Sequence, residues 1–208
     1  PKGAVIKVDG RNVVPDVHEV LGRMEKFANA VRSGAWRGHT GKRIKTVVNI
    51  GIGGSDLGPV MAYEALKDFT ERSIECRYIS NIDGEDFYEK TRDLDPAETL
   101  FVVSSKTFTT IETMTNAASA LKWLAENGVT DPGGRVVALT AAPDKAVEWG
   151  VDETRVLPFP ESVGGRYSLF SSIGFPIALA IGIEEFTAML TGAKAVDDHF
   201  RSTEGRAN

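Results

Sequence analysis

The chain has 208 residues, of which 42% are hydrophobic, 25% charged and 8% aromatic. This is the make-up of one globular domain, with room for a small appendage, and too apolar for a disordered chain. A net charge of −5 argues against a nucleic-acid partner. The longest apolar run, 173–183, contains Pro176 and is far short of the about 20 residues that span a bilayer. A lone Cys76 rules out an internal disulfide or a thiolate metal cage, which fits a reducing, cytoplasmic setting. The opening Pro1-Lys2-Gly3 lacks the apolar run and cleavage site of a signal peptide, and a start other than Met points to a processed or excised segment.

In chain order, residues 4–14 read as a hairpin with Asp9-Gly10 as its turn. Val17, Val20, Leu21, Met24, Phe27, Ala28 and Val31 then recur at helical spacing, with Gly34 as the stop. A basic, Gly-containing linker, 34–45, leads to the main body. There, short β-rich runs (46–50, 76–80, 100–104, 135–140 and 155–158) alternate with helical patterns. One helical stripe is Leu57, Val60, Met61, Ala65, Leu66 and Phe69; another is Ile111, Met114, Ala118, Leu121 and Ala125. An apolar helix (170–181) and an amphipathic one (184–200) close the chain. Strand and helix alternating at these lengths predict a doubly wound α/β domain with a five-stranded parallel sheet. We divide the chain into an N-terminal hairpin, helix and linker (1–45) and a sheet domain (46–208).

Three loops carry candidate chemistry. The first sheet strand runs into Gly51-Ile-Gly-Gly-Ser-Asp-Leu-Gly58, where glycines let the backbone turn sharply and approach a ligand. The free N–H groups of the following helix form an anion site, and Ser55 adds a hydroxyl. A dinucleotide fingerprint would need glycine where Asp56 stands; a purely structural turn is the plain alternative. After the third strand, 104–110 holds five hydroxyl residues and Lys106, which matches the many acceptor oxygens of a phosphate. Thr109 and Glu112 also satisfy a capping box, but one cap uses one hydroxyl and leaves a surplus. In sheet order 2-1-3-4-5 these two loops flank the switch point, where Ser55 and residues 105–110 would face one small pocket. The third loop, Glu161-Ser-Val-Gly-Gly-Arg-Tyr-Ser168, would aim the Arg166 guanidinium into that crevice to stabilise an oxyanion, unless it is a Gly-Gly turn with a surface arginine.

Gly51-Ile-Gly-Gly-Ser-Asp-Leu-Gly-Pro59, Ser105-Lys-Thr-Phe-Thr-Thr110 and Val163-Gly-Gly-Arg-Tyr-Ser168 together resemble the glucose-6-phosphate isomerase family. Ser80-Asn-Ile-Asp-Gly84 and the closing segment around Gly192 to Arg201 are similar too, so the resemblance runs from about Val8 to Arg201 in the family's order. It implies a sugar isomerase (SIS) domain of flavodoxin-like strand order. Gly54, Ser55, Ser105, Lys106, Thr107 and Thr110 would surround a sugar phosphate, Lys106 mainly through its main chain, and Arg166 would stabilise an enediolate. The sequence departs from many members at Ile111, where they carry Gln, and lacks the aromatic residues common in eukaryotic members around 160–162.

Family members are much longer. Their glutamate base, ring-opening histidine and a further lysine lie beyond Asn208. The resemblance therefore implies the first SIS domain of an enzyme interconverting glucose 6-phosphate and fructose 6-phosphate in glycolysis and gluconeogenesis. It needs neither metal nor nucleotide cofactor, and the full-length enzyme would be a cytoplasmic homodimer. The present segment would turn over little on its own. His18, His39 and His199 read as structural or solvent-facing, and neither Glu112 nor Glu161 reads as the base. The competing reading is a non-catalytic SIS module that senses a phosphosugar; it shares the hydroxyl loop but not the Gly-Gly-Arg-Tyr-Ser turn or the hairpin.

Overall fold

The computed structural model describes residues 3–38 and 41–205; His39 and part of the expected linker lie outside them. The N-terminal hairpin pairs β1 (Lys7–Val8) with β2 (Arg11–Asn12) in antiparallel register. Asp9 and Gly10 both take positive φ at its tip, as a two-residue turn matched to strand twist requires. Helix α1 (Val14–Ser33) follows and stops at Gly34, whose left-handed conformation lets its N–H bond to the Val31 carbonyl.

Five parallel strands form the central sheet: β3 (Thr46–Ile50), β4 (Glu75–Ile79), β5 (Thr99–Ser104), β6 (Val136–Thr140) and β7 (Val156–Pro158). Their order is β4-β3-β5-β6-β7, the expected 2-1-3-4-5 arrangement. Alternation along each strand sorts side chains between two cores, because successive residues point to opposite faces. Val47, Leu100, Val102 and Val137 meet α1, α2 (Gly54–Ala65) and α6 (Phe175–Ile181) on one face. Val48, Phe101, Val103 and Ala138 meet α4 (Ile111–Glu126) and α5 (Pro143–Trp149) on the other. Between β4 and β5 lies α3 (Gly84–Thr91), and α7 (Ile183–Ser202) closes the chain.

The element order matches expectation, but two helix faces do not. In α2 the residues turned inward are Asp56, Gly58, Pro59, Ala62 and Tyr63, while Leu57 and Met61 are each 57% exposed. In α4 the inward face carries Thr113, Asn116, Ala117, Ala120 and Leu124; of the expected stripe, Met114 and Leu121 pack half-buried at its edge, while Ile111 is 70% exposed. In α2 small residues win this face because other backbone comes very close. A Cβ at Gly58, for instance, would run into the Arg166 carbonyl oxygen. The expected helix 170–181 instead starts on the last residue of one 3₁₀ turn, Arg166–Phe170, passes through a second, Ser172–Gly174, and is α-helical only in α6.

Candidate anion site

The site forms where β3 and β5, neighbours in the sheet, send their following helices to opposite faces. The N-termini of α2 and α4 therefore converge on one crevice, and both helix dipoles present their positive ends to it. The cavity between them holds about 160 Å³. That is well below the about 300–1,000 Å³ of pockets enclosing a drug-sized ligand. It suits a small polar group rather than a dinucleotide.

Its walls include Gly54, Ser55, Ser105, Lys106 and Thr110, so five of the expected site residues meet there, joined by Ser104, Thr113 and Ser168 and by Phe159, Val163, Gly164 and Gly165. Ser105 donates to the Thr110 hydroxyl across 3.4 Å. No hydrogen bond among the described residues uses the amides of Lys106 to Thr110, a run of free donors of the kind that cradles an anion. The surplus of hydroxyls survives helix capping too. Thr110 is the N-cap of α4 but makes no side-chain cap bond, and the Thr109 hydroxyl donates to Thr107 at 2.8 Å instead of capping. No Asp or Glu lines the cavity, and Lys106 reaches across its mouth, its Nζ 3.8 Å from where a Gly164 side chain would begin. Asp56, which breaks the dinucleotide fingerprint, is buried in α2 away from the cavity. Burial first, and then the nearby Asp86 carboxylate, push its carboxyl above the usual range.

Two expected residues sit apart. Thr107 is exposed and bonded to Thr109 rather than lining the cavity. Arg166 is also exposed, with its guanidinium 5.7 Å from the Tyr167 ring centroid, although its neighbours Gly164 and Gly165 form the wall. The turn carrying it packs hard on α2: a Cβ at Gly54 would lie 2.5 Å from the Gly165 oxygen. Gly165 itself has φ +67, a region side chains avoid.

Sequence reasoning missed the residues that hold the loops in place. Asn49, fully buried in β3, donates to the Ser55 carbonyl at 3.1 Å and accepts from the Ser104 hydroxyl at 2.7 Å, tying the glycine loop to the end of β5. Its signal was a single amide inside an otherwise apolar strand interior. Phe108 anchors the hydroxyl loop. It holds φ +51, a strained state for a side-chain-bearing residue that costs about 1–3 kcal/mol. Burial against Trp149, with ring centroids 5.9 Å apart, returns about 1.5–3 kcal/mol. The Lys106 carbonyl, accepting from the Ala141 amide and the Thr140 hydroxyl, fastens the same loop to β6.

A doubly wound sheet with a hydroxyl-lined cavity at its switch point is the architecture of phosphosugar isomerases. The family model for phosphoglucose isomerase matches residues 1–208, and this chain belongs to that family. It is 56% identical over 211 residues to glucose-6-phosphate isomerase 1 of Streptomyces coelicolor, covering all of this chain and 38% of that protein. A glucose-6-phosphate isomerase of Deinococcus radiodurans is 55% identical over 210 residues, with 39% of its length covered. The chain thus spans well under half the length of these relatives. The crystal structure of a glucose-6-phosphate isomerase from Chlamydia trachomatis superposes with a TM-score of 0.76 at 29% identity, over 93% of this chain and 36% of that one.

Proposed function

We propose that this chain is the phosphosugar-binding portion of an aldose–ketose isomerase that interconverts glucose 6-phosphate and fructose 6-phosphate in the cytoplasm, in an enzyme that works as a homodimer. The observation that carries this reading is the cavity itself: two helix N-termini, free amides and clustered hydroxyls around a space sized for one phosphoryl group. Gly54 and Ser55 would take one side of the phosphate, Ser105, Lys106 and Thr110 the other, with Thr107 closing from the rim. Phosphate held there leaves the sugar carbons outside the cavity, toward the turn 163–168.

Isomerisation shifts a proton between carbons 1 and 2 through an enediol and is redox-neutral within the substrate. It needs a general base near those carbons and an acid for ring opening. Neither a carboxylate nor a histidine lines the cavity. The chain's part is to bind and orient the substrate, and Arg166 would swing from Tyr167 to the enediolate oxygen to offset its charge. In this reading proton transfer falls to the part of the enzyme that the relatives have and this chain does not span, and the chain by itself turns over little or nothing.

Calorimetric titration with fructose 6-phosphate, against unphosphorylated fructose and inorganic phosphate, tests the reading. Heat from fructose 6-phosphate and phosphate but not from fructose supports it. Binding of fructose alone, or of nothing, overturns the assignment of a preformed phosphate cavity.

A further inference from the structure

Thr113 lies in α4, one helical turn past Thr110, and is 2% exposed. It belongs to the cavity wall, yet its Oγ1 is buried with no hydrogen-bond partner among the described residues. Threonine inside a helix usually settles its hydroxyl on the carbonyl four residues back. Three others in this protein do so: Thr91 donates to Phe87 at 2.8 Å, Thr187 to Ile183 at 2.7 Å and Thr191 to Thr187 at 3.0 Å. Thr113 forgoes that bond, and an orphaned buried hydroxyl costs stability. Nothing in the packing needs it, since valine has the same shape and no hydroxyl to strand.

We infer that Thr113 is a ligand group of the anion cavity, its hydroxyl donating to a phosphoryl oxygen of the bound ester. The inference rests on the phosphosugar reading above. Residues three apart on a helix share a face, which places Thr113 below Thr110 on the cavity side. Threonine in a helix divides between two χ1 rotamers, so a single side-chain step turns the hydroxyl toward the cavity while the backbone stays put. The bond is unmade in the free chain and made in the complex, so its whole contribution goes to binding.

The test compares Thr113→Val, which keeps the shape and deletes the hydroxyl, with Thr113→Ser, which keeps the hydroxyl. Each is titrated with fructose 6-phosphate and with inorganic phosphate, and melted without ligand. Thr113→Val is expected to bind both ligands about 10- to 150-fold more weakly, as for a lost bond to a charged group. Thr113→Ser should stay within about threefold of the parent. The ligand-free valine variant should melt at or above the parent temperature, because it removes an unsatisfied hydroxyl. A valine variant that binds as the parent does would overturn the inference and leave the hydroxyl to a buried water. A lower melting temperature for valine, or equal losses for serine and valine, would overturn it too, by assigning Thr113 to packing. Weakening confined to fructose 6-phosphate would move the contact from the phosphoryl group to the sugar and overturn it as stated. A parent that binds neither ligand defeats the phosphosugar reading first, and the inference falls with it.

Discussion

Asn49 has more influence on the site than its burial among valines suggests. Its amide spans the gap between the carbonyl of Ser55 and the hydroxyl of Ser104, so one side chain fixes the separation of the two loops that line the cavity. Truncation would strand both partners in the interior. Asn49→Ala should therefore destabilise the chain by about 2–4 kcal/mol, because a buried polar group left unpaired costs about 1–3 kcal/mol. Urea denaturation should show a lower midpoint with an unchanged slope. Phosphate affinity should fall as well, since the loops it aligns carry Ser55 and Ser105. An unaltered midpoint would mean that the sheet alone positions the loops.

Between elements, the docking of turn 163–168 on α2 decides the shape of the cavity. It depends on the absence of a side chain at Gly58, where a Cβ would meet the Arg166 carbonyl oxygen and lie 3.1 Å from Leu169. Replacing a helical glycine with alanine ordinarily stabilises a helix by about 0.5–1 kcal/mol. Overpacking costs about 1–3 kcal/mol, so at this position the sign reverses. Gly22, within α1, serves as the control, because a methyl group there would meet nothing within 4 Å. Thermal melts should show Gly58→Ala less stable and Gly22→Ala more stable than the parent, and only Gly58→Ala should lose phosphate binding. If both variants stabilised the chain, the turn would have room to yield and the contact would not shape the site.

Across the folded chain, the carboxylates predict an acid limb in stability. The Arg77 guanidinium, which meets Asp93 at 2.5 Å, holds that carboxyl down at about 2. Lys42 lowers Asp95 in the same way, and the Thr154 hydroxyl lowers Asp152. A carboxyl whose pKa is depressed on folding contributes stability above its unfolded value, near 4, and loses that contribution as pH falls through its folded value. Stability should thus decline between about pH 4 and pH 2, and Asp93→Asn should make that decline shallower while lowering stability at neutral pH. Chemical denaturation at a series of pH values measures both. Asp56 runs the other way: its raised pKa favours the protonated folded form, so its contribution is lost as pH rises through that value.

The parallel sheet, its 2-1-3-4-5 order and the meeting of the glycine and hydroxyl loops at one cavity were all legible in the chain before any contact was known. Strand–helix alternation, a glycine-rich turn and clustered hydroxyls are local patterns, and local sterics and hydrogen-bonding capacity read them directly. Ser55, Ser105, Lys106 and Thr110 could be picked out for that reason. Which faces of α2 and α4 turn inward was settled instead by packing. Close backbone approach at Gly58 outweighed the burial of Leu57 and Met61, and no periodicity records a neighbour more than a hundred residues away. The same holds for Asn49 and Phe108, whose partners are assembled by the sheet, and for Thr113, whose missing partner became visible only once its surroundings were closed. Arg166 shows the limit most plainly. The glycines before it foretell a tight turn, but where a long, solvated guanidinium rests depends on what stands around it, here the ring of Tyr167.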